Sequence, residues 1–422
     1  MKPYFTPLLR WSERYTNIDM VYFASGSFWQ TFGQVVTGVL SFGLILLFAN
    51  LVPKEIYGTY RYILSLAAIL NVLTLTGMNQ AVMQAVATGN ESILRASVTY
   101  QLKWNSILTL AFLLAGGYYF LHNNWALGGS LLILSLCTPL TTAFNTYGAY
   151  LAGKREFRLN NLFGIISTLV YVGGTALAIM LSGEVIWLVA AYALTTLAAN
   201  IVLYVWTLRR FKPPAVPLVP TDEVFAYGRK LTLIGIMGPV VSQLDNIILT
   251  HFWGPAQLAV YSLGMAIPNR LVPFIKSWVD IGFPKLAIKT DKEIQEVFLK
   301  RILLGGLVGA VFAAGYIVTA PYVFTYLMPS YLEAVFYSQL LALTFVFAMP
   351  NRYIGLLFTA KKLALPTFIS NSIQNVIRIL LYLALGIWGG ILGLVIAQLI
   401  CAALGLIINL AVWQISMRPA SE

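Results

Sequence analysis

Charged residues make up only 10% of this 422-residue chain, and it holds just two cysteines and two histidines. Soluble domains carry roughly 25% charged residues, so a water-soluble fold is excluded. Cys137 and Cys401 both lie in apolar stretches, which argues against a disulfide framework or a thiolate metal site. His122 and His251 sit singly near span ends and read as interfacial packing groups. No Gly-rich phosphate loop ending in Lys-Ser/Thr and no His-Glu-x-x-His is present, so no nucleotide or zinc chemistry is implied. No cofactor is expected. Connections between the apolar runs are too short to fold into a catalytic domain.

What the chain does hold is apolar sequence: 59% of residues are hydrophobic and the mean hydropathy is +0.78. Spans are expected near 22–50, 57–82, 92–121, 126–151, 160–182, 185–208, 226–252, 257–284, 298–320, 332–359, 363–386 and 389–416. Each is long enough to cross roughly 30 Å of hydrocarbon. The first is too long for a signal peptide and lacks a small-residue cleavage site, so it is expected to remain as a span.

The 27 lysines and arginines are distributed by side. The ends and even-numbered loops carry 20 of them, including Arg10, Arg14, Lys154, Arg155, Arg209, Arg210, Lys212, Arg229, Lys230, Lys361 and Lys362, and six more lie inside spans. The odd loops hold only Lys54. By the positive-inside rule both termini are expected in the cytoplasm, with the chain in a plasma (inner) membrane. The net charge of +12 is spread over short loops facing anionic headgroups, a pattern unlike a nucleic-acid surface.

The two halves repeat. Leu51-Val52-Pro53-Lys54-Glu55-Ile56-Tyr57-Gly58-Thr59-Tyr60 aligns with Phe252 to Tyr261, each placing a Gly/Pro turn shortly before a tyrosine expected at the interface. Leu151-Ala152-Gly153-Lys154-Arg155 aligns with Phe358-Thr359-Ala360-Lys361-Lys362. Both anchors fit an offset of about 201 to 207 residues. The expected fold is therefore all-α and polytopic, with about twelve transmembrane helices in two six-helix lobes, 1–208 and 226–422. A cytoplasmic linker, 209–225, joins lobes related by a pseudo-two-fold axis along the membrane normal. Such a bundle is most often a transporter.

Polar groups inside the spans mark a path. Ser27, Gln30, Gln34, Thr37 and Ser41 share one helical face of span one, and Asn371, Gln374, Asn375, Arg378 and Tyr382 share one face of span eleven. Small polar residues also glue helices together, which accounts for the Ser and Thr better than for the large amides. Arg270 and Arg378 fall near mid-span, where an ionised group costs roughly 2.5 to 3.5 kcal/mol. Arg61, Lys103 and Arg352 lie nearer span ends, in reach of headgroups by snorkelling. Lys276 and Asp280 are four apart and pair on paper. Asp245 is the other acid within a span, so the interior balance favours an anionic cargo over a cationic drug. Pro239 is expected to bend span seven, and Pro268 and Pro273 span eight.

The Leu51 to Tyr60 segment, Asp245-Asn246-Ile247-Ile248-Leu249 running into Gly254-Pro255 and Tyr261, and Gly282-Phe283-Pro284-Lys285 together resemble the polysaccharide-biosynthesis flippases. These are the O-antigen-type translocases of the multidrug/oligosaccharidyl-lipid/polysaccharide superfamily. The resemblance implies two six-helix lobes around a central cavity that opens alternately to either side, moving an undecaprenyl-pyrophosphate-linked glycan to the outer leaflet for lipopolysaccharide or other surface polysaccharide assembly. It implies that Arg270 and Arg378 hold phosphate, helped by Lys103 and Arg352, with Asp245 as structural partner or coupling site. Gln30, Gln34 and Asn375 would complete the cavity lining. The bilayer and the polysaccharide polymerase or glycosyltransferase machinery are further expected partners. A cation-coupled drug antiporter and a lipid II flippase of the same superfamily remain as alternatives. A glycan polymerase or glycosyltransferase fits less well, since the odd loops are short and carry only Lys54, Glu55, Glu184 and Glu333 as charges. A transporter rather than an enzyme is expected.

Overall fold

The computed structural model describes residues 20–214, 221–280 and 291–416. Among them the only regular secondary structure is helical. Eleven helical stretches are long and apolar enough to cross a membrane, from Phe28–Leu51 to Ala364–Ser416. The last, 53 residues long, would extend ~80 Å as one helix, far beyond a bilayer. It reverses at Gly390, whose φ of 55° and ψ of −134° are open to glycine alone. Beyond that turn, a Cβ at Gly393 would meet the Leu385 carbonyl oxygen at 1.9 Å, so the two arms touch backbone to backbone. Counting the arms separately gives the twelve spans that the apolar runs predict.

Side chains such as Leu121, Met180 and Trp388 are more than three-quarters exposed, which in water would be an aggregation surface and in lipid is ordinary solvation. The chain is a multi-pass membrane protein.

It divides into two compact units. The first comprises Met1–Leu44 and Ala67–Ile236, the second Ile45–Leu66 and Met237–Glu422. This division differs from a cut at the 209–225 loop: the hairpin 45–66 goes with the second unit, and 209–236 with the first. Glycine explains the hairpin's attachment, since a Cβ on Gly58 would lie 1.7 Å from the Pro255 carbonyl oxygen. Only a hydrogen side chain lets helix Lys54–Leu70 approach helix Pro255–Ala266 so closely. In the same unit Asn50 Nδ2 donates to the Leu327 oxygen at 2.9 Å, and Lys54 pairs with Glu333.

The core of the first unit gathers Met78, Val82, Ile93, Leu94, Tyr147, Tyr150 and Leu151. That of the second falls into two clusters, one around Tyr353, Leu357 and Trp413, the other around Ile275, Phe345 and Ala348.

The internal repeat is visible in backbone geometry. Helix Thr146–Gly153 ends with Glu156 N–H bonding to Leu151 O and Arg155 N–H to Ala152 O. Helix Phe345–Ala360 ends with Leu363 N–H bonding to Phe358 O and Lys362 N–H to Thr359 O. Arg155 and Lys362 are both left-handed, with φ of 61° and 55°. Every member of one turn maps to the other at an offset of 207 residues, the upper end of the offset read from sequence.

The tyrosines of the first anchor are a correction. Tyr60 and Tyr261, expected at the interface, are 3% and 1% exposed. Tyr60 stacks on Phe48, and the Tyr261 hydroxyl reaches a buried carboxylate that replaces headgroup water.

Candidate functional site

The site is built where span seven fails to be one helix. Helix Thr221–Gly235 stops at Ile236, Met237–Val241 adds five residues containing Pro239, and a turn at Ser242 and Gln243 precedes helix Leu244–Trp253. Proline has no N–H to continue the ladder, and glycines on either side of Ile236 and Met237 weaken it further. Span eight breaks at Ile267, between Pro255–Ala266 and Pro268–Asp280, so the bend precedes Pro268, while Pro273 stays inside the helix.

Asp245 lies in the first turn of Leu244–Trp253, where the helix dipole favours an anion. It is 6% exposed. Its Oδ1 accepts the Asn246 N–H at 2.8 Å, and its Oδ2 accepts the Tyr261 hydroxyl at 2.7 Å. Gln398 Nε2 donates to the same hydroxyl, which leaves Tyr261 as donor to Asp245. Asn246 Nδ2 donates to Ser65 Oγ at 2.9 Å and to Gln243 Oε1 at 3.1 Å, tying the break to the 45–66 hairpin.

Two cavities, each of about 370 Å³, meet at this carboxylate within the second unit. One is lined by Lys276, Asn351, Gln374, Arg378, Tyr382 and Gln398. The other is lined by Tyr57, Arg61, Asn246, Ser262, Asn269 and Arg270. Ser242, Asp245 and Met265 belong to both. Asp245 interacts electrostatically with Arg378 from the first cavity and Arg61 from the second. Cys401 lines the same cavity as Arg378. Four cationic side chains thus line the two cavities that share this carboxylate. An anion entering either cavity meets charge-assisted donors in low dielectric, where they are strong.

Of the residues expected at the site, the structure gathers Asp245, Arg270 and Arg378, with Arg270 and Arg378 on opposite cavities. Arg352 and Asn375 belong to the same unit but line neither cavity, and Arg352 is exposed. Gln30, Gln34 and Lys103 are exposed residues of the first unit. The polar face of span eleven serves two ends. Gln374 lines the cavity and also donates to Ser370 Oγ and Asn409 Oδ1, at 2.9 and 3.1 Å, so helix gluing claims part of it. In span one Thr37 and Ser41 bond back to carbonyls of their own helix.

Arg61 corrects the snorkelling reading: its guanidinium lines a cavity two turns into its helix. Lys276 lines the other cavity, and the Asp280 side chain expected to pair with it lies outside the described residues, as does Gly282 to Lys285. Sequence reasoning missed Ser262, Gln398 and the buried role of Tyr261. A glutamine in the otherwise apolar Leu394 to Leu399 run was the available signal for Gln398. Among the described residues no group of three or more His, Cys, Asp or Glu is placed to hold a metal.

No curated protein matches the chain in sequence. Its fold is that of the MOP-superfamily transporters. An inward-facing multidrug resistance MATE family transporter superposes with a TM-score of 0.62 at 13% identity, covering 91% of this chain and 96% of that one. A MATE transporter crystallised with MaD5 gives 0.55 at 15%, covering 93% and 94%. A MOP-superfamily transporter from Pyrococcus furiosus, described as having a binding pocket of reversed polarity, gives 0.51 at 16%, covering 93% and 94%. Residues 23–280 match the family model for polysaccharide biosynthesis proteins. With well over half its length matched and a transporter fold throughout, this chain belongs to the polysaccharide biosynthesis protein family.

Proposed function

We propose that this protein flips a polyprenyl-diphosphate-linked oligosaccharide from the cytoplasmic to the outer leaflet of the plasma membrane by alternating access, supplying surface polysaccharide assembly. The observation that carries the reading is that Arg61 and Arg270 line one cavity and Lys276 and Arg378 the other, with Asp245 lining both. Each ionised group within a span costs roughly 2.5 to 3.5 kcal/mol, so cations gathered there point to a use for their charge. An anionic cargo suits such a lining, and a diphosphate supplies charge and acceptors in the geometry that guanidinium groups favour. The positive-inside distribution of basic loops puts both termini in the cytoplasm, so loading is from that side.

Family and fold are those of transporters and not of enzymes. A cation-coupled small-molecule antiporter is the competing reading, and Asp245 is the residue that favours it. The excess of cations in both cavities weighs against a cationic drug.

The test is transfer of a fluorescent polyprenyl-diphosphate oligosaccharide across reconstituted liposomes. Transfer by the parent, falling by about tenfold or more in Arg270→Ala and in Arg378→Ala, is expected. A folded parent that moves no more substrate than empty liposomes would overturn the reading and turn attention to Asp245 and small cations.

A further inference from the structure

Besides the two polar cavities, the second unit carries a groove of a different kind. A space of about 340 Å³ lies against helix Asp291–Leu327, walled by Leu271, Val311, Phe312, Gly315, Tyr316 and Thr319. Val311, Gly315 and Thr319 follow at steps of four and so line one face of that helix over about 12 Å. The same helix meets helix Phe345–Ala360 through another residue, Gly309, where a Cβ would lie 2.2 Å from the Phe345 carbonyl oxygen. At Gly315 a Cβ would meet nothing within 4 Å, and Val311 and Thr319 on either side are exposed. The face therefore has a notch between two β-branched side chains.

Nothing in this lining asks for a polar ligand. The Thr319 hydroxyl donates to the Gly315 and Tyr316 carbonyls of its own helix, and the Tyr316 hydroxyl pairs with Ser338 Oγ at 2.6 Å. Hydrocarbon is the occupant that fits. Leu271 lies beside Arg270 near mid-span, and Thr319 falls at the end of the span expected at 298–320. On the positive-inside orientation the groove thus runs from mid-membrane toward the outer leaflet.

Its position beside the polar cavities sets it apart from the rest of the lipid-facing surface. Leu271 sits between Arg270 and Val272 in helix Pro268–Asp280, and those two neighbours line one cavity each. Leu271, Val272, Phe312 and Tyr316 also pack into one apolar cluster with Ala348, which lines the same cavity as Val272. One helix, interrupted at Ile267 and carrying Pro273, separates the groove from both cavities. A lipid whose head enters either cavity must keep its chain in hydrocarbon, and the shortest path for that chain crosses this helix.

Taking the flippase reading as given, we propose that the groove binds the polyprenyl chain of the lipid-linked cargo while its head occupies the cavities. A prenyl chain carries a methyl branch on every unit, and a branch fills the Gly315 notch where a straight acyl chain leaves a gap that forfeits contact. The groove selects a polyprenyl anchor over a phospholipid, independently of the glycan.

The experiment gives the liposome transfer assay two substrates with the same diphosphate oligosaccharide head, one on a long polyprenyl chain and one on a geranyl chain. A helix about 10 Å across uses up the geranyl chain before the groove is reached. Gly315→Leu fills the notch without a buried clash and with a gain in helix propensity. It is expected to slow the polyprenyl substrate about fivefold and to leave the geranyl substrate within about twofold of the parent. Thr319→Leu, which adds bulk at the outer end, should give the same pattern in milder form. Gly173→Leu, the same change at an exposed glycine of span five with equally open space, should alter neither rate. An unchanged polyprenyl rate in Gly315→Leu, equal slowing of both substrates, or the same slowing in Gly173→Leu would overturn the chain site.

If the parent transfers neither substrate, the flippase reading fails, and the groove is decided by photolabelling of the full-length protein in liposomes. A polyprenyl monophosphate with a diazirine on its chain should label residues 311–319. The label should fall in Gly315→Leu and on addition of unlabelled polyprenyl monophosphate, and should withstand phosphatidylglycerol. Label spread evenly over exposed residues such as Leu177 and Met180, or displaced equally by phosphatidylglycerol, would mark ordinary boundary lipid and overturn the proposal.

Discussion

Glu91 and Asp245 are both carboxylates that accept a tyrosine hydroxyl, from Tyr150 at 2.8 Å and from Tyr261 at 2.7 Å, yet their surroundings differ. Glu91 lies outside the spans, and Lys154 Nζ completes it at 2.5 Å, with both side chains about 30% exposed. The hydrogen bond from Lys154 holds the Glu91 carboxyl below the usual glutamate range, against the opposing effect of partial burial, and the Tyr150 bond adds to it. Asp245 lies inside a span, almost wholly buried, with its cations set across two cavities. A paired charge at the rim fastens helices. Asp245 instead lies on two cavities whose linings also hold Arg61, Arg270, Lys276 and Arg378.

The sharpest way to break the comparison is to remove each acid. Asp245→Ala strips the acceptor from Tyr261 and from the Asn246 N–H and removes the carboxylate with which Arg378 and Arg61 interact, so a loss of about 3 to 5 kcal/mol is expected. Thermal unfolding in detergent measures it, and Asp245→Asn, which keeps an acceptor for Tyr261, should recover a substantial part. Next in size is one substitution made twice: Tyr261→Phe is expected to cost about 1 to 3 kcal/mol, because Asp245 Oδ2 is left buried without its donor. Tyr150→Phe should cost about 1 kcal/mol or less, since Glu91 keeps Lys154 and access to water. Equal costs would dissolve the distinction drawn here.

Glu91→Gln should destabilise by under about 1 kcal/mol near neutral pH, as a partly exposed pair warrants. Its sign with pH is fixed by the depressed carboxyl. The Glu91 contribution is present above the ordinary glutamate value and is lost as the pH falls through the lower folded value, so the gap between parent and Glu91→Gln closes in acid. Unfolding midpoints across an acid series read this directly. Smallest of all, Lys54→Gln, which breaks the exposed pair with Glu333, should cost ~0.5 kcal/mol, measured as a slight shift of the unfolding midpoint.

Span number was legible because each crossing needs its own apolar run, and even the merged 53-residue helix reads as two runs around Gly389 and Gly390. The repeat was legible at Lys154-Arg155 and Lys361-Lys362 because a helix-ending turn imposes local residue preferences. Asp245, Arg270 and Arg378 stood out as charges at mid-span. Arg61 did not, because its depth as counted along the chain suited snorkelling equally well, and only the packing of helix Lys54–Leu70 against Pro255–Ala266 turns it toward a cavity. Tyr261 was misread for a related reason: an aromatic one turn past a Gly/Pro bend looks the same in sequence whether its hydroxyl meets headgroups or a buried acid.

What the sequence determined by itself is the solvent and the number of crossings, since hydropathy acts segment by segment. It also determined that several lysines and arginines lie within the spans. Which cations share a space was decided by tertiary structure alone. Arg61 joins Arg270 and Ser262, and Lys276 joins Arg378 and Gln398, across separations of up to about two hundred residues. Helical periodicity tells each residue only the face of its own helix. The identity of the neighbour across the gap comes from close backbone approaches, such as that of Gly58 to Pro255, and from the breaks at Ile236 and Ile267 that bring the partners together.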